Sequence, residues 1–186
     1  MSIENNANDL ANPARRRLLK CSVAGTVLAA APLTKVWAAS ERSLSLHNLH
    51  TGEQINQPYW MQGDYLPESL SAINKVLRDH RSGEVYPIDP TLLDLLSVLQ
   101  QRVGSSLGYE VISGYRSPAS NAMLQSKSSG VARRSLHMQG KAIDIRLPGT
   151  GLAQLHGAAK AIKSGGVGLY TSSNFIHVDT GRVRYW

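Results

Sequence analysis

Two short runs near the C-terminal end of the 186-residue chain constrain the fold more than any other feature: AIDIRL at residues 142–147 and FIHVD at residues 175–179. Both alternate side chains with the period of a β-strand. Ala142, Asp144 and Arg146 therefore share one face, and Ile143, Ile145 and Leu147 take the other. In the same way Phe175, His177 and Asp179 lie opposite Ile176 and Val178. At the usual strand rise, α-carbons two residues apart are separated by about 7 Å. Two strands thus each offer polar side chains toward one surface while burying aliphatic ones behind it.

The residue types on that surface suit a metal. A divalent zinc held by two neutral imidazoles and one carboxylate keeps a net positive charge and a fourth position for a water that becomes acidic near neutral pH. His137, in SLHMQGKAIDI, together with Asp144 and His177 supplies that set. Spacing alone leaves a plainer alternative open, with Asp144 accepting backbone hydrogen bonds in a turn and the histidines serving as ordinary strand residues.

The rest of the chain sets the frame. Its length suits one domain with a sizeable core. The net charge of +7 does not indicate nucleic acid, because the basic residues are spread along the chain and part of the excess lies in an N-terminal leader. That leader, residues 1–39, runs from a polar start through Arg15, Arg16 and Arg17 to an apolar stretch, Cys21–Leu33, and small residues at Ala38 and Ala39. It reads as a cleaved export signal. The stretch is shorter than the roughly 20 residues of a membrane span, so no stable span is expected after cleavage. Arg15, Arg16, Leu18, Leu19 and Lys20 resemble the twin-arginine pattern, with Ala14 where Ser or Thr is usual and Leu18 where Phe is commoner, which implies a periplasmic protein. Removing residues 1–39 takes five of the 20 Lys/Arg and two of the 13 Asp/Glu, leaving a net charge of +4. It also removes Cys21, the only cysteine, so a mature domain over residues 40–186 has neither a disulfide nor a thiolate ligand.

LSLHNLHTGEQI predicts a hairpin turning at Thr51-Gly52. Helices are predicted over Pro67–His80 and over Pro90–Val103, the second with Asp89 as N-cap before its first-turn proline. Strands follow at 109–113, 140–147, 166–170 and 175–180. A helix at 151–163 and a short one beginning at Pro118 lie between them. This is an α+β plan with a mostly antiparallel sheet. Gln125–Arg134 reads as a loop at the edge of the polar surface.

Taken together the motifs resemble the zinc D-Ala-D-Ala metallopeptidases, whose superfamily also holds the lysostaphin-type peptidases and the Hedgehog domain. The family's S-x-H-x-x-G-x-A-x-D stretch is matched by Ser135, His137, Gly140, Ala142 and Asp144, its later His by His177, and its S-G-Y-R stretch by Ser113, Gly114, Tyr115 and Arg116. The resemblance implies one zinc per chain on His137, Asp144 and His177. It also implies that Arg116 binds substrate and the oxyanion of a tetrahedral intermediate, a role that suits a permanently charged guanidinium. Ser135 and Tyr115 are substrate-binding candidates, with a turn-forming role for Ser135 nearly as plausible.

Many relatives place an acidic residue three positions before the last zinc histidine, where this chain has Asn174. Asp179 is the remaining carboxylate on the His177 face. It is the candidate general base, with orientation of His177 by a hydrogen bond as the alternative role. Tyr170 is expected to pack, and Trp186 either packs or lines a groove. His47, His50, His80 and His156 are not expected in the site, since the first two point to opposite faces, His80 suits a helix end and His156 has no acidic companion.

The activity implied is hydrolysis of peptide cross-links in peptidoglycan, between D-Ala and meso-diaminopimelate or between two diaminopimelates. The alternatives are a D,D- or L,D-carboxypeptidase acting on stem peptides and a non-catalytic, zinc-stabilised cell-wall-binding module, the latter drawing support from Asn174.

Overall fold

In the computed structural model, which describes residues 41–128 and 130–186, a long antiparallel hairpin of β1 (Glu41–Asn48) and β2 (Gln54–Met61) forms one side of the sheet. It turns where expected, with Gly52 at a positive φ and its N–H donating to the Asn48 carbonyl. β2 extends beyond the sequence reading because Pro58 sits beside the bulge between Arg42 and Ser43, one of the few places where a strand accommodates proline. A two-residue strand, β3 (Asp64–Tyr65), borders it.

Helices α1 (Pro67–Val76) and α2 (Pro90–Val103) follow. The first is shorter than predicted. The Leu77 carbonyl accepts from Tyr115 N–H, and Asp79 nucleates a turn by accepting from Arg81 N–H, so His80 lies in that turn and not at a helix end. α2 starts as predicted. Asp89 accepts from Thr91 N–H at 3.0 Å, and its second oxygen accepts from the Thr180 hydroxyl at 2.9 Å, tying the helix start to the strand that carries His177.

The second half of the chain contributes β4 (Tyr109–Ser113), α3 (Pro118–Lys127), a single 3-10 turn (Leu136–Gln139), β5 (Ala142–Arg146), α4 (Leu152–Ile162), β6 (Gly166–Tyr170), β7 (Phe175–Asp179) and β8 (Arg184–Tyr185). The eight strands form one mixed sheet in the order β3-β2-β1-β4-β5-β7-β6-β8. The β1–β4 and β6–β8 pairings are parallel and the others antiparallel, so the α+β, mostly antiparallel plan holds.

The parity argument explains the layering. Ile143, Ile145, Ile176 and Val178 are fully buried and join Leu92, Leu93, Leu96 and Leu99 of α2 and Leu155 of α4 in one core. Each such side chain contributes roughly 1.5–3 kcal/mol relative to exposure. The opposite face is left for Asp144 and His177. A register shift between Val111 and Ser113 adds a third residue to that face. Val111 opposes core-facing Ile145, yet Ser113 opposes Asp144, because a bulge re-aims the side chain that follows it. No helix among the described residues is long and apolar enough to cross a membrane. The export signal predicted for residues 1–39 lies outside the described residues.

Candidate metal centre

His137 is delivered by the 3-10 turn. Ser135 caps that turn, its hydroxyl accepting from His137 N–H at 3.4 Å, and Gly140 ends it at φ +64°. Only glycine fits there, since a β-carbon would lie 2.1 Å from the Pro87 carbonyl oxygen. Asp144 and His177 are direct cross-strand partners in β5 and β7. All three side chains are nearly inaccessible, and they meet. His137 Nε2 lies 3.3 Å from Asp144 Oδ1 and 3.2 Å from His177 Nδ1, which in turn lies 2.9 Å from the same carboxylate oxygen.

The far nitrogen of each ring fixes what the near one presents. His137 Nδ1 is 2.7 Å from the Gly114 carbonyl, which can only accept, so the proton sits on Nδ1 and Nε2 offers a lone pair. His177 Nε2 donates to Asp179 Oδ2 at 2.9 Å, which leaves a lone pair on Nδ1. Two nitrogen lone pairs and a carboxylate therefore converge on one point, an arrangement that calls for a cation there, a metal ion or, in its place, a proton. Two ligands about 2.05 Å from a tetrahedral ion stand about 3.3 Å apart, close to the spacings found here. The residues fit a divalent metal of zinc's size.

The electrostatics agree with the geometry. Burial alone would raise the Asp144 pKa, yet the facing His137 and His177 more than reverse this and hold it well below the usual carboxylate range. At His177 burial opposes a charge, and Asp144 and Asp179 overcome it and raise its pKa.

Arg116 stands beside the centre with Nη2 3.9 Å from Asp144 Oδ2. Nη2 also donates to the Ser113 hydroxyl and Nη1 to Asn121 Oδ1, while Nε is buried with no hydrogen-bond partner among the described residues. Its backbone is clamped, because Arg116 N–H donates to the His137 carbonyl and Ser117 N–H donates to the fully buried Asp79. The sequence reading passed over Asp79. Nothing local marked it out, since Arg78, Asp79 and His80 together read as an ordinary charged helix end.

These groups open on a cleft of about 490 Å³. One wall comes from the expected loop, through Ser128, Val131 and Arg134, and continues to Ser135. The other is aromatic, built from Tyr170, Phe175 and Trp186.

Four expectations need correction. Asp179 is not placed to serve the cleft as a base. It is fully buried behind His177, on the side of the ring away from the converging lone pairs, and its oxygens already accept from Gly166 N–H, Gly181 N–H, Arg184 and His177. Burial opposes its charge, but these donors hold its pKa well below the carboxylate range. Tyr115 does not line the cleft. It is buried, stacked on Tyr86 at 4.8 Å, with its hydroxyl donating to Glu84 at 2.8 Å. Tyr170, expected to pack, lines the cleft. Asn174 stays out of the site altogether. It turns the β6–β7 hairpin at φ +51°, a backbone state that Asn tolerates, and borders a separate depression with Glu110 and Arg146. Its lack of a carboxyl group therefore removes nothing from the centre.

Comparison with known proteins identifies the family. Residues 36–186 match the family model for peptidoglycan L,D-endopeptidase MepK. The peptidoglycan L,D-endopeptidase MepK of Escherichia coli (strain K12) is 41% identical over 177 residues, covering 92% of this chain and 96% of that protein. The probable peptidoglycan L,D-endopeptidase MepK of Haemophilus influenzae is 38% identical over 162 residues, covering 87% of each. A crystal structure of the Serratia marcescens L-Ala D-Glu endopeptidase ChiX overlaps 51% of this chain and 68% of that one at 19% identity and a TM-score of 0.34, too low to speak for the fold. The family resemblance read from the motifs is thus borne out, and the chain belongs to the peptidoglycan L,D-endopeptidase MepK family.

Proposed function

We propose that the protein is a zinc-dependent peptidoglycan endopeptidase of the periplasm, exported by the twin-arginine route and carrying the Hedgehog/D-Ala-D-Ala peptidase type of fold. The observation that carries this reading is the convergence of His137 Nε2, Asp144 Oδ1 and His177 Nδ1 within 2.9–3.3 Å of one another at the base of an open cleft. Zinc held there supplies Lewis acidity toward an amide carbonyl and a water acidic enough to act near neutral pH.

The chain's own residues do the rest. Arg116, charged by the basicity of its guanidinium and held in place by its clamped backbone, donates to the carbonyl oxygen as negative charge gathers on it. Ser135 lines the cleft next to His137, where its hydroxyl meets the substrate backbone. Asp179, gripped by two N–H groups and the Arg184 guanidinium, holds the His177 ring and its tautomer. Arg134 and Arg116 give the cleft a positive wall that suits the carboxylates of stem peptides.

Of the two cross-links considered, the diaminopimelate–diaminopimelate bond joins an L to a D centre, and the relatives carry the name L,D-endopeptidase. It is the preferred substrate here. The cleft is open to solvent beside Ser128, Val131 and Arg134, which favours an internal cross-link over the carboxypeptidase alternative. The wall-binding alternative loses its support with Asn174 outside the centre.

The test is incubation of the mature protein with cross-linked muropeptide dimers, with and without a chelator, followed by mass spectrometry of the products. Conversion of dimers to monomers that stops on chelation and returns with zinc is expected. Uncut dimers in every arm would reduce the protein to a binding module.

A further inference from the structure

Hydrolysis of an amide needs hydrogen-bond donors around the oxygen that gains charge, and the cleft offers few that are pre-aimed. Among the described residues lining it, Asp144 is the only carboxylate, and the Arg184 guanidinium is bound to Asp179. That leaves Arg116 and Arg134, and of the two it is Arg116 that stands beside the converging ligands, on one wall. On the other stands a hydroxyl to which no role has been given, that of Tyr170.

Tyr170 ends β6 on the same face as Gly168, which pairs directly with His177. Tyr170 is therefore the diagonal cross-strand neighbour of His177, a relation that puts α-carbons about 7–8 Å apart and within reach of an aromatic side chain. Its ring stacks on Phe175 at 4.7 Å, and it lines the cleft together with Arg116.

The hydroxyl is polarised in one direction. Trp186 Nε1 lies 2.9 Å from it, and an indole N–H can only donate, so the Tyr170 oxygen accepts. Its own proton finds no acceptor among the described residues and is left for whatever enters the cleft.

Trp186 is itself fixed. Its N–H donates to the Val167 carbonyl and its carbonyl accepts from Leu169 N–H. The indole lies against Gly168, where a β-carbon would come within 2.5 Å of it, and the Arg184 guanidinium sits over the ring at 5.0 Å.

We propose that Tyr170 is a further catalytic residue: with a lone pair occupied by Trp186, its O–H donates a hydrogen bond to the substrate carbonyl oxygen as the carbon becomes tetrahedral, facing Arg116 across the centre. No proton changes owner in this step. The inference rests on the hydrolytic reading above.

The test compares the zinc-loaded wild-type chain with Tyr170→Phe and Trp186→Phe. Tyr170→Phe keeps the stack on Phe175 and so keeps the fold, which thermal melting checks. Its kcat is expected to fall about 10- to 100-fold with KM within about twofold, on the scale of losing one oxyanion donor. The affinity for a phosphinate analogue of the tetrahedral state, read by calorimetry, is expected to fall in proportion, while affinity for the cleaved product and zinc content stay unchanged. Trp186→Phe moves the same quantities in the same direction by about 3- to 10-fold. Wild-type kcat and analogue affinity in Tyr170→Phe, or a rise in KM alone, would overturn the assignment and leave the hydrolase standing. A zinc-loaded wild type that cuts no dimer overturns both.

Discussion

The molecule holds two histidine pairs, and they make opposite use of the same side chain. His137 and His177 meet edge to face, 5.1 Å between ring centres and 63° between planes, each with its outer nitrogen on an oxygen acceptor and its inner nitrogen turned toward Asp144. His50 and His80 lie flat on one another at 3.8 Å and 9°, and among the described residues no carboxylate draws their nitrogens to a common point. Proximity is greater in the second pair. What distinguishes a metal centre here is the aiming of lone pairs by the Gly114 carbonyl and Asp179, a feature of the surroundings and not of the histidines.

The most damaging way to break the first pair is to remove the charge it shares. Asp144→Asn leaves the volume unchanged, yet it strips the only anion from the ligand set and turns an N–H toward one of the imidazole lone pairs. Zinc stoichiometry by atomic absorption is expected to fall well below one per chain, and muropeptide cleavage by about 10³-fold or more. A variant that kept both would detach the activity from this centre.

Asp179→Asn sharpens the comparison, because it separates aiming from proton transfer. If Asp179 holds the ring, metal affinity falls about 10- to 100-fold, and saturating zinc restores most of the turnover. If it carries a proton, turnover stays low with the metal fully bound. Measuring kcat across a zinc titration distinguishes the two, and the burial of Asp179 behind His177 predicts the first outcome.

Gly140→Ala acts one step further away. The new methyl group meets the Pro87 carbonyl at 2.1 Å on a backbone already at φ +64°. The turn bearing His137 must shift, at a cost of about 1–3 kcal/mol in a urea unfolding curve. The His50–His80 contact lies on other elements and is expected to survive.

The centre was legible in the sequence because both its strands carry their aliphatic side chains on one face only. Period two then leaves Asp144 and His177 no choice of side, and SxHxxGxAxD carries its own turn chemistry in Ser135 and Gly140. The core helices were legible for similar reasons, through Pro90 and the Asp89 cap. What could not be read depended on contacts distant in the chain. The end of α1 is set by Tyr115, which takes the Leu77 carbonyl from 38 residues away in sequence. The role of Asp179 is set by Gly166, Gly181 and Arg184, and that of Tyr170 by Trp186. Spacing placed Asp179 on the correct face but could not tell which nitrogen of His177 it would meet. That single fact favours a positioning role over that of a base.

The second pair gives the smallest effect and the cleanest sign. Burial depresses the His80 pKa to about 4, and Arg81, His50 and Arg116 add to the shift while Asp79 opposes it. An unfolded histidine titrates near 6.5. Between those values the unfolded chain binds a proton that the folded chain refuses, so the contribution of neutral His80 is complete above about pH 6.5 and is lost progressively as pH falls toward 4. Urea midpoints measured from pH 7.5 to 4.5 should therefore decline on acidification, and His80→Gln should flatten part of that slope, leaving zinc content at pH 7.5 untouched. A slope unchanged by the substitution would place the acid sensitivity elsewhere, in the first pair or its carboxylates, and would leave His50 and His80 as packing alone.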